Sequence, residues 1–276
     1  MKIGFSANAF TNFSLIDAIQ RISNAGYDGI EIVVDAPHAF LPLSDKQIEE
    51  IKHSLKNHEI LVSNLNVNTV IGWYSSGKNI EKFEPSLSNK DETLRKWRID
   101  YTKKAIRLAN EFESESICIT TGIKHLRNMD YEMTVLKKSL SDVLEFAEEY
   151  GVKIAIEYEP GLLIESSEDV LELSNDFKNL GLNLDTCHVA VLNENFVELI
   201  QKFKDKIFHT HISDCKDSVH YHLIPGHGEI DFCEVYSSLK KNNYNGFLTA
   251  ELYTYAENPD EALSETFNFL KNLSNN

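Results

Sequence analysis

The chain has 276 residues, of which 42% are hydrophobic and 25% charged, and its formal net charge at pH 7 is −16. That length is enough for one large α/β domain or two small ones, and the acidity disfavours a nucleic-acid partner, which needs a positively charged surface. No run of eighteen apolar residues occurs and no secretory pattern opens the chain, so we expect a cytoplasmic protein without a membrane partner.

Strand-like apolar segments alternate with segments of helical period along the whole chain. We predict strands at residues 2–7, 29–34, 59–66, 115–121, 152–158, 181–185, 206–212 and 246–252. Helices are predicted at 15–25, 44–58, 91–112, 130–150, 167–177, 196–203, from about 231 onwards, and at 260–273. Ser44, with Gln47 three residues later, predicts a capping box, and Gly151 ends the fourth helix.

Eight strand-then-helix units predict a parallel (β/α)₈ TIM barrel of the α/β class, formed as a single domain by residues 1–276. A doubly wound open sheet is the alternative. It is disfavoured because no Gly-x-Gly-x-x-Gly pattern follows the first strand.

Two segments interrupt the alternation of strands and helices. Residues 68–90 contain Trp73, Tyr74 and Phe83 among Gly, Ser and Asn residues. A long aperiodic segment with aromatic residues indicates a lid over the barrel mouth, with Trp73, Tyr74 or both reaching the bound ligand. A surface excursion that packs its own aromatic rings is the alternative. Residues 213–230 are predicted to form a long loop.

Metal-binding side chains stand at the ends of four consecutive predicted strands. Strands five to eight end at Glu157, Asp185, His211 and Glu251. A single carboxylate or imidazole in such a place is ordinary, but the C-terminal strand ends of a barrel meet at one mouth. Together, these oxygen and nitrogen ligands predict a site for one divalent cation.

This arrangement resembles the xylose isomerase-like barrel superfamily, which includes ketose 3-epimerases, inosose isomerases and dehydratases, and DNA endonuclease IV. The resemblance covers the whole chain and is sharpest over residues 154–253. An Asp-x-x-His element of the family is met by Asp185 and His188, and a Pro-Gly-x-Gly-x-Ile-Asp-Phe element by residues 225–232. The resemblance implies that one Mn²⁺, Mg²⁺, Co²⁺ or Zn²⁺ ion is held by Glu157, Asp185, His211 and Glu251.

The function that the resemblance implies lies in carbohydrate metabolism. It is a sugar or polyol-ketone isomerase or epimerase, in which the metal stabilises an enediolate as a proton leaves and returns. Glu157 and Glu251 are expected to bind the metal and also to transfer the proton. His188 and Glu159 are expected to contact the substrate, whereas Glu31 is expected either to line the pocket or to lie beneath it as a structural carboxylate. A dehydratase or lyase on a similar substrate is the alternative.

Several departures from the family pattern bear on the expected substrate contacts, on a second metal and on the reaction class. The epimerases usually carry an Arg after strand seven, where this chain has His220 and His222 as expected substrate contacts. These histidines resemble a ligand pair of endonuclease IV, so a second metal near them and His188 is left open. The nuclease's histidines after strands two and three have no counterpart, which disfavours a DNA-cutting enzyme.

The substrate and assembly are less closely defined by the sequence. Arginine is scarce, so an unphosphorylated sugar or polyol ketone is favoured as the small-molecule partner. A non-catalytic polyol-binding protein is a further alternative, and the oligomeric state, including a homo-oligomer, is left open.

Overall fold

Eight parallel strands close into a barrel, which confirms the (β/α)₈ prediction. The computed structural model describes residues 1–68 and 83–275. Around the barrel, each strand pairs with its neighbour in the chain, and the last strand returns to the first. The barrel strands are β1 (Lys2–Ser6), β2 (Gly29–Val33), β3 (Leu61–Asn66), β4 (Ser116–Ile119), β5 (Lys153–Ile156), β6 (Leu180–Asp185), β7 (Ile207–Ile212) and β10 (Phe247–Ala250).

Eight of the described helices follow the strands as predicted, with boundaries that differ by one or two residues, whereas the short helix Thr186–Val191 was not predicted. Ser44 and Gln47 form the predicted capping box, and Gly151 ends the fourth helix in the left-handed region at φ 66°. The described helices are α1 (Leu15–Asn24), α2 (Asp45–Asn57), α3 (Glu92–Glu111), α4 (Met129–Tyr150), α5 (Ser167–Asp176), α6 (Thr186–Val191), α7 (Phe196–Phe203), α8 (Phe232–Lys241) and α9 (Pro259–Asn275). No helix within residues 1–68 and 83–275 has the length and apolar character that a membrane span requires.

The apolar core lies between the strands and the helices, whereas the barrel interior is partly polar. Inside the barrel, Asn64 donates a hydrogen bond of 2.8 Å to Glu31 and accepts one of 2.8 Å from Ser116. At the N-terminal end of the barrel, a Cβ atom on Gly29 would lie 2.4 Å from the ring of Phe247. Glycine there therefore makes room for an aromatic ring.

The prediction of an unbroken loop over residues 213–230 is wrong. This segment contains an antiparallel hairpin of β8 (Asp214–Lys216) and β9 (Val219–Leu223). The turn residues Asp217 and Ser218 both have positive φ, at 54° and 56°, as two-residue hairpin turns require. His220 and His222 alternate with the apolar residues of β9, so the period-two pattern of a strand was present in the sequence but was assigned to the loop.

Asp214 ties the base of this hairpin to the loop that follows it. Its carboxylate is fully buried and accepts hydrogen bonds from the backbone N–H groups of Gly226 at 2.9 Å, Gly228 at 2.8 Å and Ile230 at 3.1 Å. It also accepts from its own neighbour Cys215 at 2.9 Å. One carboxylate thus orders the Pro-Gly-x-Gly segment against the hairpin that carries His220 and His222.

Replacing Asp214 by Ala is expected to lower the free energy of unfolding by about 3 kcal/mol, because several backbone donors lose their acceptor at once. Urea denaturation of the purified variants measures this loss. The matched control is Asp142→Ala, which removes an exposed carboxylate from α4 and is expected to change stability by less than about 0.5 kcal/mol. Equal effects of the two substitutions would contradict the role given to Asp214.

Candidate metal centre

Four potential metal ligands meet at the C-terminal end of the barrel. Glu157 follows β5, Asp185 ends β6, His211 lies in β7 and Glu251 follows β10. One donor atom of each lies within 4.8 Å of the donor atoms of the other three, and all four residues are buried. The closed barrel therefore brings together the four residues that were predicted as ligands. Their role as ligands stays a prediction.

The electrostatics of this centre are dominated by carboxylates. His211 Nδ1 lies 2.9 Å from Glu157 Oε1 and 3.4 Å from Glu251 Oε2. Burial lowers the pKa of His211. The charges of Glu251, Glu31 and Glu157 raise this pKa by a larger amount, so it stands well above its usual value. Burial raises the pKa of Glu251, and the charges of Glu157 and Asp185 add to this effect against the opposing His211. Such an excess of buried negative charge is the environment that a divalent cation offsets.

Asp185 has one oxygen engaged by the backbone and one that faces no hydrogen-bond donor. Oδ1 accepts from the N–H groups of Cys187 at 2.7 Å and His188 at 3.1 Å, which caps α6. Oδ2 is buried, and no residue in the described part of the chain forms a hydrogen bond with it. Burial raises the pKa of this carboxyl, but nearby histidines, His188 first, lower it more, so the group is ionised. A buried anionic oxygen without a donor is costly unless a cation binds it, and the donor set fits a divalent ion.

Glu31 lies beneath this centre and orients His211. Its Oε2 is 2.8 Å from His211 Nε2 and 3.4 Å from His209 Nε2, and the residue is fully buried. A carboxylate on one imidazole nitrogen fixes the ring and leaves the other nitrogen for a metal. Glu31 is not among the described residues that line the cavity. This position favours the alternative of a structural carboxylate beneath the mouth, and contact with substrate stays a prediction.

A cavity of about 400 Å³ opens above the four residues. That volume falls in the range of small-molecule sites. Its described lining includes no Lys or Arg, and four of the lining residues are carboxylates. They are Asp35, Glu157, Glu159 and Glu251. Glu159 lies beyond the end of β5, is only partly buried and lines the cavity wall, where it was predicted to meet substrate.

Three histidines form one wall of this cavity. The ring centroids of His188 and His220 are 4.8 Å apart, and those of His220 and His222 are 3.7 Å apart in a stacked arrangement. His222 Nδ1 donates to the backbone carbonyl of Glu251 at 3.2 Å, which leaves its Nε2 as an acceptor. Burial lowers the pKa of His222 to about 3, so the ring is neutral. The hairpin thus delivers His220 and His222 to the cavity, as their predicted role requires.

Asp185, His188 and His220 form a second group with donor atoms within 4.8 Å of one another. This group shares Asp185 with the four residues described above. It also includes two of the three histidines at which a second metal was left open. The geometry is compatible with that alternative, but the two groups would compete for the same carboxylate.

Sequence reasoning assigned no role to three asparagines that support the centre. Asn68 Nδ2 donates to Glu157 Oε2 at 3.1 Å, and Asn66 Nδ2 donates to Glu251 Oε1 at 3.4 Å. Asn183 Nδ2 lies 3.0 Å from His211 Nδ1. The signal that identifies the first two is their spacing, because Asn66 and Asn68 stand two residues apart at the end of β3 and so face the same side.

The predicted lid lies mostly outside the described residues. Trp73, the expected ligand contact of that segment, falls between residues 68 and 83 and is therefore outside them. Asn68 and Phe83, the described residues on either side of this gap, both line the cavity.

Comparison with known proteins places this chain in a family. The model of the xylose isomerase-like TIM barrel family matches residues 19–273. The chain belongs to this family. The family that was predicted from the strand-end residues and the Asp-x-x-His element is thereby confirmed.

The similarity to individual relatives and to solved structures extends over nearly the full chain. The chain is 28% identical to fructoselysine 3-epimerase of Shigella flexneri over 92% of this chain and 91% of that protein. It is 25% identical to inosose isomerase of Halalkalibacterium halodurans over 92% of this chain and 88% of that protein. The structure matches that of a D-tagatose 3-epimerase-like protein with a TM-score of 0.79 at 26% identity, over 99% of both chains.

Proposed function

We propose that this protein is a divalent-metal-dependent isomerase or epimerase that acts on an unphosphorylated sugar or polyol ketone. The observation that carries the proposal is the group of Glu157, Asp185, His211 and Glu251, whose donor atoms converge within 4.8 Å at the barrel mouth. Relatives named as a sugar epimerase and an inosose isomerase support the reaction class.

The four residues of this group would hold the cation. When bound there, a divalent cation supplies Lewis-acid stabilisation of the negative charge that develops on the substrate oxygens. Glu31 holds the ring of His211 from below, and Asp185 Oδ1 is held by the first turn of α6. These supports keep the donor atoms in place without help from a mobile loop.

Proton transfer falls to the two glutamates. Asn68 holds one oxygen of Glu157, and Asn66 holds one oxygen of Glu251. One glutamate removes the proton from the carbon beside the substrate carbonyl, and the other returns a proton to a carbon of the same substrate. Both residues lie at the ends of barrel strands and are at most 8% exposed.

The lining of the cavity supports a substrate without phosphate. The described wall carries four carboxylates and no Lys or Arg, and burial keeps His222 neutral with a pKa of about 3. A phosphate dianion would meet repulsion here, whereas hydroxyl groups find acceptors in Glu159 and in Nε2 of His222.

Proton–deuterium exchange in D₂O tests this proposal directly. Protein loaded with Mn²⁺, Co²⁺ or Zn²⁺ is incubated with ketoses and inososes, and NMR follows both the carbon beside the carbonyl and the stereochemistry of the product. We expect deuterium to enter a neutral substrate as its epimer or isomer forms, and chelator to stop the exchange. A matched pair, fructose and fructose 6-phosphate, tests the substrate class.

Three results would contradict the proposal. Loss of water from the substrate would indicate a dehydratase, and ligand binding without deuterium exchange would indicate a non-catalytic protein. Exchange confined to phosphorylated substrates would overturn the substrate class alone.

A further inference from the structure

A second and larger cavity, of about 810 Å³, lies at the opposite end of the barrel. Its lining includes the first residues of six barrel strands. They are Lys2 of β1, Leu61 of β3, Ser116 of β4, Lys153 of β5, Ile207 of β7 and Phe247 of β10. We call it the N-terminal cavity. It is separate from the cavity at the proposed metal centre, because the two have no described lining residue in common.

The charge of the N-terminal cavity is opposite to that of the chain as a whole. Four of its lining residues are lysines and three are acidic, whereas the whole chain has 27 basic and 43 acidic residues. Lys153 is 3.7 Å from Glu115. Lys2, Lys204 and Lys241 make no ion pair within residues 1–68 and 83–275, so no described carboxylate neutralises these three ammonium groups.

The three lysines come from separate parts of the chain, so a run of charged residues in the sequence does not explain why they line the same cavity. Lys2 starts β1, Lys204 follows α7 at a left-handed φ of 48°, and Lys241 ends α8. Glu113 and Asp205 also line the cavity, so the unpaired cations exceed the unpaired acids by a single charge. Lysine ammonium groups bind phosphate as point charges, so this excess of cations would attract a compact dianion.

Aromatic and polar groups line the rest of the N-terminal cavity. Phe208 and Phe247 supply two rings, and a lysine ammonium lies 5.4 Å and 5.1 Å from their respective centroids. Ser63 and His209 also line the cavity and are buried, at 6% and 1% exposure. Rings and buried polar groups next to cations suit the organic part of a ligand better than they suit a bare ion.

We propose that the N-terminal cavity binds a phosphate monoester of a ring-containing small molecule. The ammonium groups of Lys2, Lys204 and Lys241 contact the phosphate, and the ring system of the ester packs against Phe208 and Phe247. Nucleotides and sugar phosphates share this chemistry, and they differ in whether the ring is planar. This binding is independent of the proposed reaction, because the metal centre lies at the other end of the barrel.

Isothermal titration calorimetry tests the proposal with AMP, glucose 6-phosphate and inorganic phosphate as probes. The test variant is the triple substitution Lys2→Gln, Lys204→Gln and Lys241→Gln. The matched control replaces three exposed lysines outside the cavity by Gln, at Lys56, Lys138 and Lys271, and so makes the same change in net charge. Asp185→Asn reports whether a probe binds at the metal centre instead.

We expect at least one ester to bind the wild-type protein more tightly than inorganic phosphate does. Its affinity is expected to fall on the order of tenfold or more in the test variant and to stay unchanged in the control and in Asp185→Asn. Tighter binding of AMP would assign the site to planar rings, and tighter binding of glucose 6-phosphate to sugar phosphates. The proposal is overturned if neither ester binds, if the test and control variants behave alike, or if only Asp185→Asn loses binding.

Discussion

Glu157→Gln is expected to keep the metal and to lower turnover by about 10²–10⁴-fold, which is the usual contribution of a general acid or base. The amide has the size of the carboxylate and can still accept the hydrogen bond that Asn68 donates at 3.1 Å. It cannot take up a proton from carbon. Because Asp185, His211 and Glu251 remain as ligands, the metal is expected to bind, with weaker affinity. Metal analysis of the purified variant and initial rates with a substrate found by deuterium exchange measure the two effects.

Glu159→Gln is the matched control for this prediction. Glu159 lines the same cavity but does not belong to the group of converging donor atoms. Its substitution is expected to raise KM more than it lowers kcat, because it removes a substrate contact and leaves the proton carriers in place. If Glu159→Gln abolished metal binding while Glu157→Gln kept both metal and activity, the roles of the two residues would be reversed.

Asp185→Asn and Asp185→Ala are both expected to weaken metal binding by more than the roughly 10–100-fold that loss of an outer-shell partner costs. Each removes the buried oxygen Oδ2, which no described residue engages by a hydrogen bond. Wild-type protein should gain about 2.7 kcal/mol of stability when free metal is 100 times its Kd, and neither variant should gain it at that concentration. Urea denaturation with and without Mn²⁺ or Zn²⁺ measures this difference.

The two substitutions separate the metal from the helix cap. Asn retains an acceptor for the N–H groups of Cys187 and His188, whereas Ala does not. Without added metal, the Ala variant is therefore expected to be about 1 kcal/mol less stable than the Asn variant. Wild-type metal affinity in Asp185→Asn would show that this carboxylate is not a ligand, and the proposed centre would then have to be abandoned.

The order of strands and helices could be predicted because it depends on local chemistry. Apolar runs such as Ile154–Ile156 indicate buried strands, and Ser44 with Gln47 marks a helix start that the structure retains. Parallel strands direct their C-terminal ends to one side of the barrel, so four strand-end residues were expected to meet. The sequence alone therefore predicted the barrel, the family and the four residues that converge.

Several supporting contacts could not be predicted, since they depend on which strands become neighbours and in which register. Barrel closure pairs Phe5 with Ala250, residues from the two ends of the chain. Glu31 meets His211 across 180 residues at 2.8 Å, and Asn66 meets Glu251 across 185 residues. The hydrophobic periodicity of a sequence does not predict which distant polar residues will form such pairs.

What the sequence by itself determined is the alternating pattern of elements and the chemical type of each strand end, because both arise from neighbours along the chain. The tertiary structure alone decided that Glu31 lies against His211 and not among the described residues of the cavity wall. It also decided that residues 214–223 fold as a hairpin held by Asp214, and that three lysines from distant segments surround one cavity. The physical reason is that each of these features requires the barrel to close before the groups involved come within contact distance.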